Sequence, residues 1–246
     1  INDRGILIDK KYVENAIAID AENLKAVHSR AIEITGIENP KSTKQLKKWI
    51  EEELGEQIDG IGKDKLPAIL KKCKSETLAE LIDLRKRMSK TSTAKYQKML
   101  DMAVKDNRVR HLFQFYGAAR TGRWAGRGIQ LHNLPKNDMW GMEDEKRLSN
   151  ARKLVAENDI EFLNICYEKP ASILSQLIRT AFIASPGNRL IITDLSAIEA
   201  RIIAWLAGEQ WRLEVFKTHG KIYEASASAM FNVPIESIKK TDDLRY

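Results

Sequence analysis

The chain contains the stretch Arg189-Leu190-Ile191-Ile192-Thr193-Asp194-Leu195-Ser196-Ala197-Ile198-Glu199-Ala200-Arg201. Its apolar first half predicts a short buried strand that delivers Asp194 to its end, and a helical pattern follows at once. A carboxylate at the end of a buried strand is costly unless a positive group meets it, and a divalent metal ion is the obvious candidate. The alternative is that Asp194 caps the helix. The apolar residues of that helix share one side: Ile198, Ile202, Trp205 and Leu206.

Length and charge limit the classes of protein that fit. The 246 residues can bury the core of one large or two small domains. A formal net charge of +7 favours a polyanionic partner over an acidic substrate. Charge alone is weak evidence for nucleic-acid binding, because many basic proteins bind none.

Cysteine and apolar content bear on localisation. The two cysteines, Cys73 and Cys166, lie far apart inside helical patterns, which predicts neither a disulfide framework nor a zinc site and fits a cytoplasmic protein. No apolar stretch approaches the ~20 residues that span a bilayer, and we see no signal peptide, so no membrane partner is expected. The first residue is Ile1 and not Met, which is typical of a piece of a longer protein.

Helices are predicted through most of the first half. Asp9 is placed to cap a long helix that ends at Gly36. Ser42 and Gln45 have capping-box spacing at the start of a second helix, which Gly55 ends.

A basic tract interrupts a further helical pattern between residues 75 and 104. It contains Lys90, Thr93 and Lys95 and is poor in apolar residues at its middle, which predicts a break between two helical halves. Two interpretations stay open: a solvated helix face, or a surface whose cations and hydroxyls bind phosphates.

Residues 117–128 combine glycines with three arginines. The segment fits neither a P-loop nor a dinucleotide fingerprint. Glycines would allow the backbone to pass close to a bulky ligand while the arginines donate hydrogen bonds. A surface hairpin with solvated arginines is the alternative.

The stretch from Asp194 to Arg201, followed by Ile-Ile-Ala-Trp-Leu-Ala-Gly-Glu, resembles the first polymerase motif of family A DNA polymerases, especially phage-encoded members. The resemblance implies that Asp194 and the backbone carbonyl of Leu195 hold two catalytic Mg²⁺ ions. It also implies that Leu195, Ser196 and Glu199 contact the nucleotide, with Glu199 excluding ribonucleotides.

The glycine-arginine segment carries a second resemblance. Thr121-Gly122-Arg123-Trp124, followed by Gln130-Leu131-His132-Asn133-Leu134-Pro135, is similar to the family signature Thr-Gly-Arg-Leu…Asn-Leu-Gln-Asn-Ile-Pro. The resemblance implies that Arg123 reads minor-groove acceptors common to all base pairs at the primer terminus. His132 and Trp124 depart from the signature. We expect His132 and Asn133 to contact DNA, with buried packing as the alternative for His132.

The family organisation implies an α+β, mostly helical fold: a helical thumb plus a partial palm with a small antiparallel sheet that includes the strand carrying Asp194. Residues 1–25 would form the base of palm and thumb, 26–108 the thumb, 109–208 the partial palm and 209–246 the start of the fingers. In the thumb, Lys90, Thr93 and Lys95 would bind phosphates of duplex DNA. By pattern alone, the last segment contains an amphipathic helix ended by Asn232 and Pro234.

The second essential Asp of the family, in a His-Asp-Glu motif, would lie downstream of the sequence given. Two-metal phosphoryl transfer needs at least two carboxylates around ions ~4 Å apart. We therefore expect a polymerase fragment that is inactive alone, with primer-template DNA, deoxynucleoside triphosphates and the remaining palm and fingers as partners. The alternatives are a non-catalytic duplex-DNA-binding module or one half of a split polymerase. A relative of single-subunit RNA polymerases is disfavoured by Glu199, which suits deoxynucleotides.

Overall fold

A computed structural model describes residues 2–62, 64–72, 75–88, 93–135, 145–167 and 169–238. The chain divides into two compact units, Ile1–Leu190 and Ile191–Tyr246. Helices predominate in both, and the strands are short, which confirms the predicted α+β, mostly helical class. No helix in the described ranges has the length and apolar composition needed to cross a membrane.

A long helix, α1 (Lys10–Thr35), organises the first unit. Asp9 caps it by accepting a hydrogen bond from the Tyr12 amide at 3.1 Å, and Gly36 ends it in a left-handed conformation, as predicted. The 26 residues of α1 extend over about 39 Å at ~1.5 Å per residue. The helix therefore reaches both apolar cores of this unit.

Four shorter helices follow α1; the first three form a core with its second half, and the fourth packs with its first half. Ser42 caps the first of them, accepting from the Gln45 amide at 3.4 Å, and Gly55 ends it. The predicted break in the basic tract falls between the third and fourth, where residues 89–92 lie outside the described ranges. The helices are α2 (Thr43–Leu54), α3 (Leu66–Lys72), α4 (Glu76–Met88) and α5 (Ala94–Met102). A core formed by side chains between Val27 and Met88 falls within the predicted thumb range.

Among the described residues of the first unit, five strands form two small antiparallel sheets. The strands are β1 (Ile6–Ile8), β2 (Arg108–Val109), β3 (Phe113–Ala118), β4 (Arg123–Gly126) and β5 (Phe182–Ile183). In the first sheet β1 lies between β2 and β5, with Ile6 opposite Val109 and Leu7 opposite Ile183. β3 and β4 form a separate two-stranded sheet.

The second core of this unit lies where the three-stranded sheet meets the first half of α1. It includes Ile8, Val13, Tyr96 and Ile129, all almost fully buried. Three more helices complete it: α6 (Glu145–Glu157), α7 (Ile160–Cys166) and α8 (Pro170–Leu177).

In the second unit, residues 191–238 are described, and they form three helices in sequence. Asn232 ends the last of them in a left-handed conformation, two residues before Pro234, as the pattern predicted. The helices are α9 (Ile198–Leu206), α10 (Gln210–Thr218) and α11 (Ile222–Phe231).

The predicted buried strand carrying Asp194 is wrong. Residues 189–195 form no strand, and Ile191 and Ile192 are 74% and 89% exposed. The physical reason is the lack of a neighbouring strand, because no described strand pairs with the apolar run. β5 stops at Ile183, and the chain then turns, with the Asn188 amide donating to the Ser185 carbonyl. An apolar run forms a strand only where another strand satisfies its backbone.

Candidate functional site

Asp194 lies at the approach to α9 but does not cap it. The helix begins at Ile198, and Ala197 occupies the cap position with φ +53° and no side-chain cap hydrogen bond. The Asp194 side chain is exposed, and its carboxylate has no hydrogen-bond or ion-pair partner within the described ranges. Helix capping therefore does not explain Asp194, and its oxygens are available to a ligand.

The backbone after Asp194 is held by local hydrogen bonds. The Leu195 carbonyl accepts from the Ile198 amide at 3.2 Å, which leaves one of its two lone pairs. The Ser196 carbonyl accepts from Arg201 Nε at 2.9 Å, and the Arg201 guanidinium lies 4.3 Å from the centre of the Phe216 ring. These contacts fix the turn that joins Asp194 to its helix.

Glu199 lies in the first turn of α9 with its side chain exposed. A carboxylate in that turn also interacts favourably with the helix dipole. Four of the predicted site residues thus follow one another at the start of α9: Asp194, Leu195, Ser196 and Glu199.

The glycine-arginine segment forms the surface hairpin β3–β4, the alternative that the sequence left open. Gln114 pairs with Ala125, and Ala118 pairs with Arg123 at the start of β4, where the Arg123 side chain is exposed. The hairpin shape and DNA contact are compatible, because an exposed arginine on a hairpin can reach into a groove.

His132 lies against the hairpin and is exposed, so the buried-packing alternative is wrong. A Cβ on Gly126 would come within 2.0 Å of His132 Cε1, so only glycine permits this approach of ring to strand. Asn133 is also exposed and donates to Gln130 Oε1 at 3.3 Å. Arg123, His132 and Asn133 therefore share the region of the hairpin and the loop that follows β4.

The predicted phosphate-binding residues of the basic tract have different environments. Lys95 on α5 donates from Nζ to the Ile129 carbonyl at 2.9 Å, which joins the tract to the loop after β4, and partial burial lowers the pKa of Lys95. Thr93 occupies the cap position of α5 without a side-chain cap hydrogen bond and is only 7% exposed. Lys90 lies outside the described residues.

The described ranges contain no group of three or more His, Cys, Asp or Glu side chains placed to hold a metal ion. The donors available to a metal at the start of α9 are the Asp194 carboxylate and the Leu195 carbonyl. Both are hard oxygen ligands of the kind that Mg²⁺ takes, commonly one or two carboxylates with waters and substrate phosphates. The residues present therefore fit Mg²⁺ as part of a coordination sphere.

Sequence reasoning missed the aromatic character of the hairpin surface. The Phe115 ring on β3 and the Trp124 ring on β4 meet in an edge arrangement with their centres 5.2 Å apart, and both are exposed. The signal was present in the sequence, since the aromatic-rich run before Gly117 directly precedes the arginines.

The class of this protein follows from comparison with known families. A family model described as DNA polymerase family A matches residues 10–245. The chain belongs to DNA polymerase family A.

Individual relatives give the same result. A DNA polymerase of Bacillus phage SP02 is 51% identical over 245 residues, covering 100% of this chain and 37% of the phage protein. The thermostable DNA polymerase I of Thermus aquaticus is 38% identical over 84 residues, covering 34% of this chain and 10% of that protein. The chain thus spans little more than a third of the phage relative.

A solved structure has the same fold. It is the POL domain of Pol1 from M. smegmatis in complex with DNA primer-template and dNTP. The match has a TM-score of 0.59 at 22% identity and covers 98% of this chain and 37% of that one.

Proposed function

We propose that this chain forms part of a DNA-directed DNA polymerase that copies a primed template. In the proposed reaction the primer 3′-hydroxyl attacks the α-phosphate of a deoxynucleoside triphosphate, a new phosphodiester bond forms, and pyrophosphate leaves. The observation that carries the proposal is the family match over residues 10–245, within which the Asp194 carboxylate is exposed and has no described partner.

Asp194 and the Leu195 carbonyl are the proposed ligands of Mg²⁺. When bound, Mg²⁺ would stabilise the negative charge that develops around the α-phosphate and favour ionisation of the attacking hydroxyl. Hydrogen bonds from the Ile198 amide and Arg201 hold the backbone that follows Asp194. Ser196 and Glu199 follow as the proposed nucleotide contacts, with Glu199 occupying the space of a ribose 2′-hydroxyl.

The DNA-binding residues belong to the first unit. We propose that Arg123, His132 and Asn133 contact the primer terminus, and that Lys95 contacts upstream phosphates. Lys95 already lies beside the loop that follows β4, since it bonds the Ile129 carbonyl. Lys90 retains the same proposed role from the resemblance alone. Thr93 is excluded from this set because it is buried.

The domain assignment remains our proposal: residues 26–108 as thumb, 109–208 as partial palm and 209–246 as the start of the fingers, on the base formed by residues 1–25. It is supported by the separate core between Val27 and Met88, which falls entirely inside the proposed thumb.

We further propose that the 246-residue chain does not extend a primer alone, since its polymerase motif supplies one carboxylate where two-metal transfer needs at least two. The test is a primer-extension assay with this chain alone and with this chain fused to the portion of the Bacillus phage SP02 polymerase that follows the matched region. We expect no product from the chain alone and synthesis by the fusion.

Asp194→Asn should abolish synthesis by the fusion, whereas the matched control Asp59→Asn, an exposed carboxylate in the loop after α2, should leave it unchanged. Primer extension by the chain alone would refute the inactivity proposal. An active fusion that tolerates Asp194→Asn would refute the metal site. A fusion that binds duplex DNA and never synthesises would instead support the non-catalytic binding module.

A further inference from the structure

Three aromatic side chains are exposed together on the β3–β4 hairpin. Phe115 is 70% exposed, Tyr116 59% and Trp124 53%. The Phe115 ring lies 5.2 Å from that of Trp124 in an edge arrangement and 6.4 Å from that of Tyr116. We call these three residues the hairpin aromatic cluster. Large rings are usually buried, so a cluster left in solvent indicates a binding surface.

A backbone irregularity presents the cluster. The strand register shifts between Gln114 and Ala118, which breaks the alternation of inward and outward side chains and leaves Gln114, Phe115 and Tyr116 all exposed. Tyr116 has φ +52°, a left-handed conformation that is strained for an aromatic residue. Backbone strain of this kind persists where the surrounding structure holds it, and it is concentrated at functional sites.

A glycine accommodates the strained tyrosine. A Cβ on Gly122 would lie 2.9 Å from Tyr116 Cε2, so the ring rests directly over the turn of the hairpin. Gly122 itself has φ +66°. The Tyr116 ring thus lies close to the turn while most of the residue remains exposed.

The segment that contains the cluster carries an excess of positive charge, although Arg110 is paired with Asp106 just before it. From Asn107 to Asn137 the sequence has five arginines, one lysine and no Asp or Glu. Arg120, at the hairpin turn, is exposed and has no partner within the described ranges. Arg127, just after β4, is held by Gln114 Oε1. A surface of this composition is complementary to a polyanion.

We propose that the hairpin aromatic cluster stacks on unpaired bases of a single-stranded extension of the primed template. Aromatic faces beside arginines are the features that bind single-stranded nucleic acid without sequence preference, because every base offers a face to stack on. A second copy of this chain or an apolar protein partner would not call for a stretch free of acids. The inference rests on the proposed function, since it adds a contact to the same DNA.

The test compares three fluorescein-labelled DNAs in anisotropy titrations with the 246-residue chain. The first is a blunt duplex, and the second is the same duplex with a single-stranded template overhang. The third is that duplex with an overhang of equal length made of abasic sites. We expect the chain to bind the base-bearing overhang at least about fivefold more tightly than the other two, the lower limit for one base–aromatic stack.

Variants assign that preference to the cluster. Phe115→Ala combined with Trp124→Ala should remove the preference for the base-bearing overhang, and the conservative pair Phe115→Tyr and Trp124→Phe should retain it. Phe162→Ala removes an aromatic ring of α7 that is 52% exposed and is the matched control, with no expected effect.

The outcomes separate this inference from the proposed function. An alanine pair that keeps the preference, or one that changes the oligomeric state of the chain, overturns the inference alone. Arg123→Ala should weaken binding to all three DNAs alike, because its proposed contact is with the duplex. Absence of binding to any of the three DNAs by the unmodified chain overturns the proposed function and the inference with it.

Discussion

At the scale of single residues, two carboxylates lie near the start of α9. Asp194 precedes the helix without capping it, and Glu199 occupies its first turn. Both side chains are negatively charged and exposed, and their positions relative to the helix distinguish the proposed metal ligand from the proposed sugar contact. Substitution at each should therefore change different measured quantities.

Glu199→Ala in the active fusion should relax discrimination between deoxynucleotides and ribonucleotides by about tenfold or more. A tenfold change corresponds to ~1.4 kcal/mol of discrimination free energy. The physical reason is that the smaller side chain leaves room for a 2′-hydroxyl. Single-nucleotide incorporation rates for the two sugars measure the effect. Glu214→Ala on α10 is the matched exposed control. Unchanged rejection of ribonucleotides by Glu199→Ala would remove the proposed role.

Asp106, just before β2, offers a pH-dependent test of its ion pair with Arg110. Its hydrogen bonds from Arg110, the shorter at 2.6 Å, lower the pKa of Asp106 from 3.8 to about 2. Since the folded pKa is the lower one, the pair stabilises the fold above pH 3.8, and that contribution is lost as the pH falls through about 2.

NMR titration of the Asp106 carboxyl should show this low pKa, and Arg110→Gln should return it toward 3.8. Arg4→Gln makes the same charge change without a hydrogen bond to Asp106 and should leave the titration nearly unaltered. An Asp106 pKa near 3.8 in the unmodified chain would contradict the described ion pair.

Sequence named candidate site residues, but it did not predict their surroundings. The position of the His132 ring could not be derived from the sequence, because the ring lies against Gly126, which belongs to another element. The burial of Thr93 likewise depends on tertiary packing beneath α5. The spacing of a motif indicates which chemical groups are available, but it does not indicate on which side of a helix or loop the core will lie.

At the scale of elements, helix ends were predicted well because capping is local. Asp9, Ser42, Gly36 and Gly55 each act within a few residues of their own position, so the pattern contains the whole cause. The strand predicted before Asp194 failed for the opposite reason. A strand requires a partner that is distant in sequence, and the apolar run from Leu190 to Ile192 has none among the described strands.

Asp9 does more than cap α1, which makes it a sharp test of element packing. One carboxylate oxygen accepts from the Tyr12 amide at 3.1 Å and the other from Arg152 on α6 at 2.8 Å. Asp9→Ala should lower the free energy of unfolding of the first unit by about 2 kcal/mol, combining a lost cap with a lost charged hydrogen bond. Urea denaturation measures the loss.

Ser42→Ala is the matched control, because Ser42 caps α2 with a single hydrogen bond from Gln45. It should cost no more than about 1 kcal/mol. A double-mutant cycle between Asp9 and Arg152 would isolate the tertiary part. Equal losses for the two cap variants, with no coupling to Arg152, would show that the Asp9–Arg152 ion pair contributes nothing to stability.

At the scale of the whole molecule, α1 contributes to two cores of the first unit. Its first half contributes Val13 to the core beside the sheet, and its second half contributes Val27 and Ala31 to the core of the helical region. The helical spacing of α1 predicted its apolar residues. Which residues pack against each half depends on chain topology, which that spacing does not contain.

The excess of positive charge predicts salt-dependent DNA binding. The logarithm of the association constant should fall linearly with the logarithm of salt concentration, by about 0.9 for each phosphate neutralised. Arg120→Gln should reduce this slope by about 1, because its guanidinium is exposed on the proposed DNA surface. Lys10→Gln on α1, where Lys10 pairs with Glu14 at 3.8 Å, should leave the slope unchanged. Equal slopes for both variants would place the DNA elsewhere.

The most direct measurement of the central claim is a structure of the active fusion with Mg²⁺, a primed template and an incoming nucleotide that cannot react. We predict an Asp194 carboxylate oxygen about 2.1 Å from a Mg²⁺ ion that also contacts the nucleotide phosphates. An Asp194 side chain that points away from the metal and accepts hydrogen bonds from neighbouring amides would contradict the proposed polymerase site.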